Sequence, residues 1–260
     1  MKTISIILIS MLFLLPALSF AEDLRPDKAV ADRIADEYDT DNEFYDFEGY
    51  DDNGEGKDFE EINDPIEPWN RLIFKFNDKF YVLIFKPVAK TYNAVVHEKA
   101  RISVRNFFYN LAMPVRFVND VLQFRIKDAG VELARFGINS TLGIAGLFDV
   151  AEKNLDLKKH DEDLGQTLGA LGIGDGFYIV WPFLGPSSLR DTAGLAGDAF
   201  LTPITHISDN ESVYALNGDK YLNDGSLRME DYDDLKESAL DPYTAFKDAY
   251  FQYRQKQIKK

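Results

Sequence analysis

The fold is decided by the stretch Asp64-Pro65-Ile66-Glu67-Pro68-Trp69-Asn70-Arg71-Leu72-Ile73-Phe74-Lys75-Phe76-Asn77-Asp78-Lys79-Phe80. An aspartate followed by proline, with a glutamate three positions after the aspartate, is typical of a helix start, so we predict an N-cap at Asp64. Apolar residues then recur at helical spacing and form one stripe, which consists of Trp69, Ile73, Phe76, Phe80 and Ile84. The stretch therefore predicts a long amphipathic helix at the start of a folded body.

Two interpretations of this helix remain open. The stripe can pack on a protein core, as it does in most amphipathic helices. Further apolar residues widen the arc over most of the circumference; they are Leu72, Phe74, Tyr81, Val82, Leu83 and Phe85. Arg71, Lys75, Asp78 and Lys79 fall on another side of the helix. A helix that is apolar over most of its circumference and has a basic lane also suits a lipid interface where basic groups meet head-group phosphates.

The rest of the chain predicts a mainly α fold. Helical periodicity continues over residues 97–111, 114–125 and 127–139, and Asp241-Pro242 marks the start of a last helix. The alternation that is typical of strands is scarce, although residues 177–186 form an apolar, aromatic, hairpin-like segment. Residues 137–197 hold 11 of the 17 glycines, which indicates close helix packing or bends rather than a phosphate-binding loop.

The N-terminus is typical of a secretory signal peptide. Lys2 precedes an apolar run over residues 4–15, and Ser19 and Ala21 provide the small residues for cleavage after Ala21. A retained anchor is the alternative, but the run is shorter than the ~20 residues that a spanning helix needs. We predict that residues 1–21 direct export.

Residues 22–63 carry 17 acidic and four basic side chains, so they hold −13 of the net charge of −15. They lack a sustained apolar period and are predicted to form a disordered acidic tether. Asp51, Asn53 and Glu55 match the first half of an EF-hand loop, but Ile62 stands at the twelfth position, so a solvated linker is favoured. The remaining body is near neutral and lacks the basic patch that nucleic-acid binding needs.

Catalytic and metal-binding patterns are not evident in the sequence. The chain has no cysteine, so we expect no disulfide, no thiol catalysis, no cysteine-ligated metal and no thioether-linked lipid. A Gly-x-Ser-x-Gly elbow is also lacking. The cluster His160-Asp161-Glu162-Asp163 has no second ligand pair at helical spacing, so we expect Asp161 or Asp163 to cap the following helix. We predict a protein that is not an enzyme and uses no cofactor.

Several motifs, in a fixed order, resemble those of one known family. They are Asp64-Pro65-x-Glu67-x-Trp69-Asn70-Arg71-x-x-Phe74-x-Phe76-Asn77, Lys86-Pro87-Val88-Ala89, Asn106-Phe107-Phe108-x-Asn110-Leu111, Gly146-Leu147-Phe148-Asp149-Val150-Ala151, Gly165-Gln166-Thr167-Leu168-Gly169, Gly185-Pro186-Ser187-Ser188-Leu189-Arg190-Asp191 and Asp241-Pro242-Tyr243. The chain resembles the MlaA/VacJ family of outer-membrane phospholipid-transport lipoproteins, and departs from it in having no cysteine to acylate.

The resemblance implies a ring-shaped, multi-helix single domain over residues 64–260 that lies in the inner leaflet of the outer membrane, on its periplasmic side. It implies phospholipid transport that maintains outer-membrane lipid asymmetry. Mislocalised phospholipids would leave the outer leaflet through an amphipathic channel and pass to a periplasmic lipid-carrier protein, with a trimeric porin as a further partner. The alternative function is a structural envelope protein that scaffolds porins or surface assemblies without lipid passage.

The predicted lipid pathway combines an apolar wall with basic groups. The wall residues, with an asparagine from the same motif, are Phe76, Asn77, Phe80, Phe177, Tyr178, Trp181 and Phe183. We expect Arg71, Lys75 and Arg190 to steer lipid phosphates, with ion pairing or simple surface exposure as the alternative for each.

Overall fold

The computed structural model describes residues 62–259, so the predicted signal peptide, most of the predicted tether and the EF-hand-like residues 51–61 lie outside the described range. Within that range the chain forms eleven α-helices and one hairpin of two strands. The helices are α1 (Glu67–Phe80), α2 (Lys86–Val95), α3 (Glu98–Leu111), α4 (Met113–Leu122), α5 (Ile126–Thr141), α6 (Val150–Leu155), α7 (Leu164–Ala170), α8 (Leu189–Asp198), α9 (Asn210–Leu227), α10 (Met229–Ser238) and α11 (Pro242–Ile258). The strands are β1 (Tyr178–Trp181) and β2 (Gly185–Ser188), so the predicted mainly α fold is confirmed.

The start of α1 differs from the sequence prediction. The helix begins at Glu67, and its N-cap residue is Ile66, which provides no side-chain hydrogen bond. Asp64 instead accepts hydrogen bonds from Asn70 Nδ2 at 2.8 Å and from the Tyr243 hydroxyl. The predicted N-cap at Asp64 is therefore wrong, because this carboxylate joins the start of α1 to α11.

A π turn at Tyr81–Phe85 joins α1 to α2 in one continuous helical path. At about 100° per residue, an uninterrupted α-helix would place Ala89 about 100° away from Asn70 around the axis. A π turn holds one extra residue, which removes a difference of this size. Asn70 and Ala89 are accordingly both fully buried, although they lie on opposite sides of the turn.

The hairpin lies between the first and last helices. β1 and β2 pair in antiparallel register, with Tyr178 opposite Ser188 and Trp181 opposite Gly185. β1 packs on α1, and β2 packs on α8 and α11. The buried apolar cluster at this junction consists of Ile73, Tyr178, Val180, Tyr243, Tyr250 and Phe251. The hairpin predicted for residues 177–186 is confirmed.

Glycines allow α7 and α8 to approach closely. A Cβ atom on Gly194 would lie 2.4 Å from the Gly165 nitrogen, a separation that real Cβ atoms essentially never show. This contact confirms the close packing predicted for the glycine-rich region. Asp163 caps α7 as expected, because its carboxylate accepts the Gln166 amide at 2.8 Å.

The other helices pack mainly in pairs. α4 packs against α5, α9 against α2 and α3, and α11 against α7 and α10. Among the helices of residues 62–259, none combines the length and the apolar composition needed to cross a bilayer.

Candidate functional site

Apolar side chains cover much of the outside of the protein, whereas polar and charged side chains fill much of the inside. Within residues 62–259, 29 large hydrophobic side chains are exposed, while 14 hydrophobic and 20 polar or charged residues are buried. Scattered exposed hydrophobics are ordinary, so the buried polar groups are what make this distribution informative. Extensive exposed apolar surface marks contact with a membrane or with another protein.

Three turns hold a large apolar side chain outward on a left-handed backbone. Phe124 follows α4 with φ +62°, Ile144 follows α5 with φ +52°, and Phe183 lies in the hairpin turn with φ +64°. Their exposed fractions are 84%, 61% and 64%, respectively. Residues other than glycine seldom adopt positive φ, and such conformations persist only where the surrounding structure enforces them. The turns therefore hold these three side chains away from the interior.

The hairpin turn packs on α1 through aromatic rings and one amide. The ring of Phe183 lies 5.3 Å from that of Phe76 and 4.9 Å from that of Phe80, edge-to-face in both pairs. Asn77 donates to the Trp181 carbonyl at 2.9 Å and accepts from the Phe183 amide at 2.8 Å. The structure thus brings these five predicted lipid-pathway residues together. We call this site the hairpin-turn cluster.

Asn70 holds the other end of β1 in the same way. Its amide donates to the Tyr178 carbonyl at 2.9 Å, and its side-chain oxygen accepts from the Val180 amide at 2.8 Å. Seven residues separate Asn70 from Asn77, so both lie on one face of α1. The two asparagines satisfy backbone groups of β1 and of the hairpin turn that would otherwise remain unpaired.

The other two predicted wall residues lie deeper. Tyr178 is 0% exposed and packs in the core against aromatic rings of α11. Burial raises the pKa of the Tyr178 hydroxyl far above its ordinary value. Phe177 is half-buried, and its carbonyl accepts the Leu189 amide at 3.1 Å. The structure does not bring these two residues into the hairpin-turn cluster.

Arg71, predicted to steer phosphates, lies between two carboxylates. Its guanidinium binds Glu67 at 2.6 Å and Asp241 at 2.9 Å. It also lies over the Tyr243 ring, 4.3 Å from the ring centroid. Hydrogen bonding from Arg71 holds the pKa of the Asp241 carboxyl below its ordinary value. Arg71 therefore joins α1 to the start of α11.

The two other basic residues of the prediction differ in their surroundings. Arg190 is buried and binds Asp175 at 2.6 Å and Asp191 at 3.0 Å. Lys75 is exposed and forms no ion pair with another residue of the described range. Of the three, Lys75 is the one whose charge is not already matched by a described carboxylate.

Arg254 organises a first buried polar network. Its guanidinium donates to Asp163 at 2.6 and 2.9 Å and to Asp191 at 2.8 and 2.9 Å. Burial alone would raise the pKa of Asp191, but hydrogen bonds from Arg254, Tyr250 and Arg190 hold it below its ordinary value. The network fastens α11 to the start of α7 and to α8.

The second network joins α4 and α5 to the segment before α7. Arg116 binds Glu132 at 2.9 Å, and His160 Nε2 lies 2.9 Å from Asp120; three of these four residues are buried, and the His160 side chain is mostly so. Burial alone would lower the pKa of His160, but the Asp120 hydrogen bond and the charges of Asp120, Glu132 and Glu162 raise it. Within the described range, no three histidine or carboxylate side chains are grouped as metal ligands.

The sequence of α5 contains a pattern that indicates polar contacts in the interior, but the pattern is a polar stripe rather than an apolar one. Glu132, Arg135 and Asn139 recur at helical spacing on α5, and all three are buried, while Leu133 on the other side is exposed. A polar stripe facing inward is the reverse of the pattern that is typical of a water-soluble helix. The pattern therefore indicates a helix whose polar face points into the protein.

Comparisons with known proteins agree over this part of the chain. A family model described as "MlaA lipoprotein" matches residues 62–257. The chain is 35% identical over 204 residues to the intermembrane phospholipid transport system lipoprotein MlaA of Escherichia coli, with 76% of this chain and 79% of that protein covered. It is 30% identical over 220 residues to an uncharacterized protein of Rickettsia conorii, with 84% and 86% covered. A solved structure, from work on the structural basis for maintenance of bacterial outer membrane lipid asymmetry, matches with a TM-score of 0.67 at 30% identity and covers 75% of this chain and 99% of that one.

Proposed function

This chain belongs to the MlaA family, and we propose that it transports phospholipid between the membranes of a bacterial envelope and so maintains outer-membrane lipid asymmetry. The observation that carries the proposal is the inverted distribution of side chains. An apolar exterior suits contact with acyl chains, and an interior of paired charges keeps those charges away from that apolar phase.

We place residues 64–260 in the inner leaflet of the outer membrane, on its periplasmic side. There, phospholipids removed from the outer leaflet follow an amphipathic route and pass to a periplasmic lipid-carrier protein. A trimeric porin is the partner that holds the body in position. On the same proposal, residues 1–21 direct export and residues 22–63 act as an acidic tether. The family includes a phospholipid transport lipoprotein, and moving a lipid requires no bond chemistry.

The hairpin-turn cluster is the lipid-contacting wall in this proposal. Phe76, Phe80, Trp181 and Phe183 contact acyl chains, while Asn77 holds the turn and Tyr178 supports it from the core; Phe177 lies at the inner end of the hairpin. Lys75 is the basic residue best placed to meet a phosphate, because Arg71 and Arg190 already bind carboxylates.

A lipid-transfer assay tests the proposal. The full chain is reconstituted in donor vesicles that contain labelled phospholipid, and a periplasmic lipid-carrier protein is added as acceptor. We expect the label to move to the acceptor. Replacing both Phe76 and Phe183 with serine should slow transfer by about 100-fold, about tenfold for each aromatic side chain that loses its apolar contact.

The matched control replaces Tyr214 and Tyr221 with serine, since these aromatic side chains are also exposed but lie on α9. The control should transfer lipid within about twofold of the wild-type rate, the range of ordinary surface substitutions. A folded wild-type chain that transfers no label would contradict the proposal. That result would favour the structural role, in which the protein scaffolds porins or surface assemblies.

A further inference from the structure

The basic residues along α1 and α2 divide into paired and unpaired ones. Arg71 is held by Glu67 and Asp241, and Lys86 binds Asp233 at 2.6 Å. Lys75 and Lys79 on α1, and Lys90 on α2, are exposed and make no ion pair with any other described residue. The two lysines of α1 lie one turn apart, so their ammonium groups extend from one side of the helix.

Exposed apolar side chains border these two lysines along one side of the helix. Leu72, Phe76 and Leu83 are all exposed, and each lies three or four residues from one of the lysines. Lysine stems can lie along apolar surface while their charged ends reach the polar boundary. A basic lane bordering an apolar lane is the arrangement of a helix that lies in a membrane interface.

The distribution of charge along the chain limits which groups can give a preference for anionic lipid. Residues 22–63 carry −13 of the net charge of −15 and repel an anionic surface, while the remaining body is near neutral and supplies no general attraction to one. Any preference for anionic lipid must therefore come from a local group of unpaired cations that lies within about 10 Å of the head groups. Lys75 and Lys79 meet this condition because they accompany the apolar side chains that contact the lipid.

We propose that Lys75 and Lys79 bind the head groups of anionic phospholipids and give this protein a preference for anionic over zwitterionic membranes. The inference rests on the proposed function and deepens it, since it names the lipid class that the α1 surface contacts first. A membrane is favoured over an acidic protein partner because the flanking side chains are aliphatic and aromatic and are exposed beside the ammonium groups.

Vesicle co-flotation of the full chain tests this proposal. Binding is measured to vesicles of phosphatidylcholine alone and to vesicles that also contain about 30% phosphatidylglycerol, a composition chosen to give a negative surface potential. The wild-type protein should bind the anionic vesicles more tightly. The variant Lys75→Gln/Lys79→Gln should lose about 25-fold of that ratio, about fivefold for each lysine, while its binding to phosphatidylcholine falls by much less, because that lipid has a phosphate but no net charge.

The charge-matched control is Lys256→Gln/Lys259→Gln, which neutralises two exposed lysines at the end of α11. It should keep the wild-type ratio within about twofold. The proposal is overturned if Lys75→Gln/Lys79→Gln keeps the wild-type ratio, if the control lowers the ratio equally, or if the variant loses phosphatidylcholine binding to the same extent. Lipid transfer is measured separately. If the protein transfers lipid but shows no preference for anionic over phosphatidylcholine vesicles, the head-group preference is overturned and the transport function still stands.

Discussion

The residues that most clearly show how this protein is built are charged ones inside it. Arg254 is 7% exposed and donates four hydrogen bonds to Asp163 and Asp191. Arg71 has a similar set of carboxylate partners, but its side chain is 36% exposed. Water screens the ion pairs of Arg71. The guanidinium of Arg254 is shielded from water, so the two carboxylates that it binds depend on it much more strongly.

Replacing each arginine with methionine separates the two environments. Arg254→Met leaves two carboxylates without their main partner and should lower the free energy of unfolding by about 3–5 kcal/mol. Arg71→Met removes exposed pairs and should cost about 0–1 kcal/mol. Denaturant unfolding in detergent measures both. Equal losses in the two variants would show that burial does not set the contribution of these pairs.

Acid should act through the same network. Because the folded-state pKa of Asp191 lies below its ordinary value, its stabilising effect is fully present above the ordinary carboxyl pKa and is lost as pH falls through the lowered value. Arg254→Met removes the largest of the interactions that lower this pKa and leaves those with Tyr250 and Arg190. The variant should therefore lose less stability on acidification than the wild type when denaturant unfolding is measured over a series of pH values, and an equal loss in both proteins would contradict this role of Arg254.

At the scale of elements, the π turn between α1 and α2 decides which residues face inward. Leu83 lies in the turn and is exposed, so its side chain contributes little to the core. Its backbone, however, supplies the extra residue that keeps Asn70 and Ala89 on one side of the continuous helix. The contributions of its backbone and of its side chain can be tested separately, by deleting the residue and by truncating its side chain.

Deleting Leu83 should convert the π turn to regular helix and rotate α2 by about 100°. The Lys86–Asp233 ion pair and the hydrogen bond from the Tyr92 hydroxyl to Asn223 would then be lost. We expect a markedly lower thermal midpoint for the deletion. Leu83→Ala is the matched control and should stay within about 0.5 kcal/mol of wild type. A wild-type midpoint in the deletion variant would contradict this account of the turn.

Helices and hairpin were predictable because their signals are local. Asp163 and Asp241 are N-caps whose side chains accept amides two or three residues later, and the sequence order alone marks them. Asp64 shows the same local pattern, yet its carboxylate binds Tyr243, a residue 179 positions away. The π turn also has no local signal, since it is required by the packing of α2 against α9.

The hairpin-turn cluster was predictable only in part. The aromatic residues of the cluster were visible as an excess of apolar surface on α1 and in residues 177–186. The roles of Asn70 and Asn77 were not visible, because a polar residue at helical spacing is ordinarily assigned to the outside, and their partners are backbone groups of β1 over 100 positions away. The family motif includes Asn77, but the motif does not show that this side chain binds the hairpin turn.

Over the whole molecule, the distribution of side chains is inverted relative to that of a water-soluble protein. Exposed apolar residues occur on α1, in the turns after α4 and α5, and in the hairpin turn. Buried charges are matched in networks that span α4, α5, α7, α8 and α11. The proposed function explains this distribution, because it makes lipid rather than water the solvent of the exterior.

Quenching by brominated acyl chains tests this claim most directly, because the chain has two tryptophans and both are exposed. Trp69→Phe leaves Trp181 in the hairpin-turn cluster, and Trp181→Phe leaves Trp69 on α1. With the full chain in vesicles, we expect brominated phospholipid to quench the fluorescence of each single-tryptophan variant strongly relative to the same lipid without bromine. Unchanged fluorescence in both variants would contradict the claim that the exterior of this protein lies in lipid.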